Sequence, residues 1–319
     1  MTPSPFLNQI QFNKSNTQVR GRFAPSPSGP LHFGSLYAAL GSYLHAKANK
    51  GLWFVRIEDI DTTRVQANAR QQILDALFAF GMEWDIDTQT QSQLQQSDHG
   101  CLTQTQRLTR YQQCFDYLAD KSMLYGCECT RKEIKASGSS YAGQCRHKQL
   151  TLNDHPVRIK QLSPVLSFYD LHFGHQIAPE SLSKEDYLIK RRDGLFSYQL
   201  AVVVDDIDQG ITHVVRGSDI MPLTARQLSL YHEFEVTAPQ FFHLPVISTA
   251  VGQKLSKQNH APAININNPR PELLKALQLL GLPVKNEPQL TFLSCAKILD
   301  WAIEHVDFKR LPTSQEIII

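Results

Sequence analysis

Cysteine is scarce, six in 319 residues, too few for the disulfide framework of a small secreted domain. Long apolar runs are missing as well. Even the longest, among them Leu200 to Val204, fall far short of the ~20 residues that a membrane-spanning helix needs. The chain opens on MTPSPFLNQIQFNKSN, without the charged-then-apolar leader of a secretory signal. Charge of one sign is not in excess either: 32 basic against 30 acidic side chains leave +2. With so flat a balance, any polyanion site must be a local basic patch. No internal repeat of ~20–50 residues is visible. What is present, 42% hydrophobic and 19% charged residues, is an ordinary globular balance. At a typical ~150 residues per domain, the length suggests about two domains. A cytoplasmic globular protein with no membrane partner is the expectation.

Residues 1–17 are polar and without period, and read as a loose arm. From Val19 the text changes to a short strand and a loop punctuated by Pro25, Pro27, Gly29, Pro30 and Gly34. A helix follows, with Leu36, Leu40, Tyr43 and Leu44 at helical spacing and Gly51 as its stop. Leu52 to Ile57 (LWFVRI) reads as a buried strand, and a second helix carries Ile73, Leu74, Leu77 and Phe78 on one face up to Gly81. Strand, helix, strand, helix is the rhythm of a parallel sheet with crossover helices. The polar stretch Thr88 to Gln106 reads as an insertion loop. A helix is expected over Arg107 to Met123, then strands over Phe196 to Val204, Thr212 to Val215 and HLPVIS. Pro222 suits the first turn of a helix running to Phe234. Two short helices, Pro271 to Leu280 and Leu293 to His305, finish the chain.

Two loops carry chemistry. In RFAPSPSGPLHFGS, Arg22 to Ser35, prolines stiffen the backbone and glycines admit close approach of a ligand. The helix start beyond it offers free N–H groups to a phosphate, with His32 as a further donor; a plain strand-to-helix turn with a surface histidine is the alternative. In GQKLSKQN, Gly252 to Asn259, Lys254 and Lys257 are placed to neutralise charge on a leaving pyrophosphate. A solvated basic loop is the alternative there.

Together the two loops, about 220 residues apart, resemble the paired signatures of class I aminoacyl-tRNA synthetases. RIEDIDTTR (Arg56 to Arg64), TQRLTRY (Thr105 to Tyr111) and VVRGSD (Val214 to Asp219), in the same order, are similar to the glutamyl/glutaminyl branch. One position departs: Ser35 stands where the first signature usually ends in a second histidine or another small polar residue. The resemblance implies an α/β fold, a doubly wound parallel sheet of Rossmann type, carrying an inserted zinc-containing subdomain and a short helical C-terminus. The expected divisions are 1–17, 18–112, 113–185, 186–260 and 261–319. It implies ATP with Mg²⁺ at His32, Gly34 and Lys257, and catalytic roles for His32, Lys254 and Lys257. For glutamate it implies Arg22, Phe23, Ala24, Pro25, Ser26, Tyr198 and Arg216 around the carboxylate ends and Glu58 beside the amino group. Charge bookkeeping agrees, since glutamate carries two carboxylates and one ammonium. Read from the residues alone, Glu58, Asp59 and Asp61 also fit a solvated acidic turn, with Asp61 capping the next helix, and Arg216 a surface ion pair.

Cys127, Cys129 and Cys145 fall within 19 residues and suggest one closed structural zinc site, because zinc prefers four N/S ligands. Chemistry alone offers His147 as the fourth ligand; the resemblance offers the oxygen of Tyr141. Cys101, Cys114 and Cys295 read as packing residues. Only 62 residues follow Lys257, too few for the anticodon-gripping region of a full glutamyl-tRNA synthetase. The resemblance therefore narrows to truncated paralogues that activate glutamate without tRNA and pass it to queuosine in the anticodon of tRNA(Asp). A monomer is expected, with Arg131, Lys132 and Lys135 as candidate tRNA contacts. The rivals are a short synthetase charging a 3′ end, a nucleotidyltransferase with a similar loop, and a non-catalytic tRNA-binding paralogue.

Overall fold

The computed structural model describes residues 18–87, 100–136, 138, 140–255 and 261–319. The expected arm over 1–17, Ser256 and Lys257 lie outside them. Strand β1 (Arg20–Phe23) is buried throughout and runs parallel to β2 (Leu52–Ile57) in the register Arg20↔Leu52 to Phe23↔Val55. Apolar residues on both faces of β2, interrupted only by the buried Arg56, reflect cover on both sides, as in parallel sheets generally. Between them crosses α1 (Phe33–Ala48), whose residues from Leu36 to Ala46 are nearly all buried. It ends where Gly51 passes so close to Val19 that an added Cβ would stand 2.3 Å from the Val19 carbonyl. Helix α2 (Ala69–Ala79) packs Ile73, Leu74 and Leu77 inward and stops at Gly81, whose φ of +80° favours glycine.

The end of the expected insertion loop is ordered. Leu102–Thr103 forms β3, parallel to β2, and a 3-10 turn over Gln104–Arg107 leads into α3 (Leu108–Asp120). Residues 88–99 of that loop lie outside the described residues. A small antiparallel sheet then forms from β4 (Leu124–Gly126), β5 (Val157–Ile159) and, after an intervening hairpin, β8 (Leu188–Lys190). The short exposed helix α4 (Arg131–Ala136) lies between β4 and β5 in the chain. The stretch 113–185 is not one unit. Its hairpin of β6 (Ser167–Asp170) and β7 (Gly174–Ile177) leaves the small sheet, and β6 pairs in parallel with a strand of the main sheet. The boundary at 185 also cuts ahead of β8.

The strand expected over Phe196 to Val204 is a helix, α5 (Tyr198–Asp208), capped where the Ser197 hydroxyl accepts from Leu200 N at 3.4 Å. Every residue from Gln199 to Ile207 is buried. A helix covered on all sides has no apolar stripe, so its valine run reads like a buried strand. Strand β9 (His213–Gly217) comes next. Pro222 lies in a 3-10 segment, Ser218–Leu223, ahead of α6 (Thr224–Glu233). HLPVIS splits at Pro245, which has no N–H for a ladder: β10 (Gln240–Leu244) pairs with β9, while β11 (Val246–Ala250) starts another sheet. Its neighbours are β12 (Gln253–Lys254) and β13 (Glu316–Ile318). Helices α7 (Arg270–Leu279) and α8 (Cys295–His305) fall where expected, but the C-terminal region ends in that strand and is not wholly helical.

Thr212 N donates to Arg20 O at 3.0 Å, setting β9 beside β1. The parallel strands thus run β3-β2-β1-β9-β10-β6, with β7 antiparallel at the edge. The order reverses between β1 and β9. In open α/β sheets such a switch point leaves a crevice beyond the C-terminal strand ends.

Candidate active site

A cleft of about 510 Å³ opens at that point. Its wall is built from the residues that follow four strands: Ala24 to Ser26 after β1, Glu58 after β2, Gly217 and Asp219 at the end of β9, and Pro245 after β10. Glu58 N donates to Pro25 O at 2.9 Å, tying two of the motifs together. Phe23, His32, Gly34, Tyr198 and Lys254 also line it.

The two signature loops meet here. Ile264 N donates to Leu31 O at 3.0 Å and Ala263 bridges His32, so the chain leaving the lysine loop is stitched to the histidine loop. A Cβ on Gly34 would lie 3.3 Å from Leu255 O, close enough that glycine keeps the loops in contact. His32 caps α1, its Nδ1 accepting from Ser35 N at 3.3 Å, and the Ser35 hydroxyl lies 3.0 Å from Nε2. Ser35, the departure from the usual signature, therefore holds the histidine. Lys254 pairs with Asp219 at 2.6 Å.

Beneath the cleft lies a buried charge network that sequence reasoning largely missed. Arg22 places Nε 3.0 Å and Nη2 3.3 Å from the two carboxylate oxygens of Asp206. Arg56, fully buried, reaches Asp206 Oδ1 at 2.7 Å and Glu58 Oε1 at 3.2 Å. Asp205 accepts from Arg107 at 2.7 Å, and Arg110 grips both oxygens of Asp208 at 2.8 Å. Burial, only partly countered by Arg56 and Arg22, pushes the Glu58 carboxyl up to about 7. The acidic-turn reading thus fails for Glu58, which is 7% exposed. Asp59 accepts from Thr105 N and Oγ1 at 2.8 and 2.6 Å. Asp61 holds the N-cap position of Thr62–Arg64 without a capping hydrogen bond and pairs with Arg191 at 3.3 Å.

Arg216 is not a surface residue. It is buried, its Nε donates to His243 Nε2 at 3.0 Å, and its Nη2 donates to Thr224 Oγ1 at 2.8 Å. No carboxylate lies within ion-pair distance among the described residues, and Nη1 is buried without a partner. Behind it, His243 Nδ1 lies 2.7 Å from Asp170 Oδ2. A proton on Nδ1 leaves Nε2 to accept from Arg216. Arg22 and Arg216 stand behind the cleft lining and not in it. The sequence signal for the network was DDID, Asp205 to Asp208, whose acids diverge correctly only once the segment is a helix.

The three sulfurs of Cys127, Cys129 and Cys145 lie within 4.8 Å of one another. The Tyr141 hydroxyl, buried beneath the stacked Arg158 guanidinium, accepts from Cys145 N at 2.9 Å. His147 is exposed. Three convergent thiols and a phenol oxygen make a donor set that fits zinc.

Residues 18–306 match the family model for the catalytic domain of class I tRNA synthetases (E and Q). A Vibrio parahaemolyticus protein named glutamyl-Q tRNA(Asp) synthetase is 48% identical, over 93% of this chain and 95% of that protein. A Serratia proteamaculans protein of the same name is 45% identical, with 94% of each covered. The crystal structure of a glutamate-tRNA synthetase from Elizabethkingia anophelis superposes with a TM-score of 0.75 at 24% identity. It is matched over 93% of this chain and 67% of its own, a likeness of fold. With nearly the whole described chain inside the family model, and relatives this similar along their length, the chain belongs to the class I tRNA synthetase family of glutamate and glutamine.

Proposed function

We propose that this enzyme activates L-glutamate with ATP and then transfers it to the queuosine base in the anticodon of tRNA(Asp). The observation that carries the reading is the meeting of His32, Gly34, Glu58, Tyr198 and Lys254 in one cleft at the sheet's switch point. The names of the relatives supply the acceptor.

In the first step a glutamate carboxylate oxygen attacks the α-phosphorus of ATP. The Pα–O bond to the β-phosphate breaks, and pyrophosphate leaves with the electron pair. The amino group sits against Glu58, and a carboxylate draws on Tyr198, with the buried Arg216 supplying positive charge from behind the lining. Arg22, held by Asp206, adds positive charge from behind the wall that Phe23 to Ser26 present to the substrate. His32 and the backbone at Gly34 receive phosphate; Lys254, with Lys257 from outside the described residues, offsets charge on the departing pyrophosphate. Mg²⁺ enters as the counter-ion of ATP, because the cleft carboxylates Glu58 and Asp219 are engaged by Arg56 and Lys254. In the second step a ring hydroxyl of queuosine attacks the carbonyl carbon, AMP leaves, and the hydroxyl proton is released.

Zinc at Cys127, Cys129, Cys145 and Tyr141 would tie the small sheet together and take no part in these steps. Four protein ligands leave no open position.

Exchange of pyrophosphate into ATP tests the first step: it should require glutamate and proceed without tRNA. Labelled glutamate then tests the second, with tRNA(Asp) carrying or lacking queuosine. Label on both, or label that periodate oxidation of the 3′ ribose prevents, would overturn the acceptor assignment in favour of 3′-end charging.

A further inference from the structure

Lys254 stands on a small sheet whose strand order is β12-β11-β13. Across the ladder it faces Ser248 of β11, and Leu255 N donates to Ile247 O at 2.8 Å. A two-stranded hairpin such as β11–β12 is marginal by itself. The third strand is β13, where Ile318 faces the same Ser248 from the other side and Ile317 packs on the main core. The position of Lys254 therefore depends on a segment more than 60 residues further along the chain.

That segment is fastened at several points. Gln315 O accepts from Val246 N at 2.8 Å and from the Ser218 hydroxyl at 2.9 Å. Ile319 N donates to Ser248 O at 3.0 Å. The Glu316 carboxylate accepts from Gly252 N at 3.0 Å, at the turn between β11 and β12, where Gly252 has a φ of +70°. Ser218 lies between Gly217 and Asp219, both in the cleft wall, and Asp219 pairs with Lys254 at 2.6 Å. One short stretch thus holds the end of β9, the start of β11 and the turn ahead of Lys254.

We propose that β13 is a brace that positions Lys254 for the departure of pyrophosphate, with Gln315 and Glu316 as its positioning residues. Neither lines the cleft; both act through other residues. The inference rests on the functional reading above and adds how the lysine is aimed. A cation that offsets charge developing in the transition state must already be in place when that charge appears, so misplacing it costs rate more than binding. Through Ser218 the brace steadies Asp219, and through Gly252 it steadies the strand of Lys254. Both ends of that ion pair are set by the same segment. The groups proposed to hold glutamate, Glu58 and Tyr198, stand on other elements, so glutamate affinity is independent of the brace.

The test compares the wild-type enzyme with E316A, E316Q and S218A in tRNA-free pyrophosphate exchange, with melting curves alongside. E316A and S218A should each lower kcat by about threefold to tenfold, the worth of one hydrogen bond, and leave the glutamate KM in place. E316Q, whose amide oxygen still accepts from Gly252 N, should recover most of the rate. In a K254A background E316A should cost nothing further, because the side chain it positions is gone. An equal loss from E316A with and without Lys254 would overturn the proposal. So would a glutamate KM that rises as far as kcat falls, or wild-type kinetics in both alanine variants. Backbone hydrogen exchange reads the brace without any activity. E316A should speed it at Gly252 by about fivefold or more, with β1 and β2 unchanged. Absent pyrophosphate exchange in the wild type would sink the functional reading, and unchanged amide exchange at Gly252 in E316A would sink the brace by itself.

Discussion

Glu58 is ordinary in sequence and unusual in place. Burial lifts its carboxyl to about 7, so it is only partly ionised at neutral pH, and a substrate ammonium favours the charged form. Glutamate affinity should therefore weaken as pH falls below 7, approaching about tenfold per unit. E58Q should flatten that dependence and raise the glutamate KM while leaving the ATP KM nearly unchanged, as steady-state exchange kinetics would report. His243 is the other residue whose role follows from position. Burial, despite the Asp170 hydrogen bond, lowers it to about 4, and burial lowers His45 to about 4 as well. Both stay neutral in the fold. A depressed histidine contributes stability fully above its ordinary value near 6.5, and that stability is lost as pH falls through the folded value. Each should cost about 2 kcal/mol between pH 7 and 5. Glu58 works in the opposite sense over the same range and offsets part of the loss. Urea unfolding at the two pH values measures the net. H243L should raise the glutamate KM more than kcat falls; H243Q, which retains an acceptor for Arg216 Nε, should lose less.

Elements depend on single residues at their ends. Gly34 opens α1 under the Leu255 carbonyl, and G34A would push the lysine loop away by a few tenths of an ångström. Its exchange rate should fall by more than tenfold with little loss of stability, a split that melting curves and kinetics together resolve. Gly81 closes α2 at φ +80°, with an added Cβ only 2.8 Å from Ala296 N. Because backbone cannot yield as a side chain can, G81A should lower stability by about 2 kcal/mol or more and barely touch the glutamate KM at temperatures where the fold persists. Ser197 was the available sign that α5 is a helix. As an N-cap it contributes about 1 kcal/mol, yet a serine before a valine run is equally common ahead of strands.

For the molecule as a whole, the thiol cluster joins parts that the chain separates. Cys127 follows β4, Cys145 lies near β5, and Arg158 on β5 donates to Cys127 Sγ at 3.3 Å. Protein purified without chelator should hold about one zinc per chain. Y141F should lose metal affinity, and H147A should not. Unchanged zinc in Y141F with loss in H147A would reassign the fourth ligand. Chelation should loosen the small sheet but leave tRNA-free exchange in place. Limited proteolysis and the exchange assay distinguish these outcomes.

By itself the sequence determined the local chemistry. Proline and glycine spacing wrote the strand–loop–helix start, the LWFV run of β2 wrote a doubly covered strand, and five motifs in order marked the family. It also placed three thiols close enough for one metal. What only the tertiary structure decided are relations between distant segments. The Val202 to Val204 run becomes helix because neighbours cover all its sides, which periodicity cannot foresee. Leu102–Thr103 becomes a strand only because β2 offers an edge, and the hairpin at 167–177 joins the main sheet because β10 does. Asp170 reaches His243, and Asp206 reaches Arg22 and Arg56, across 73, 184 and 150 positions of chain. A buried charge is tolerable only where a partner meets it, and which partner arrives is set by how the strands are ordered, not by the residues beside it.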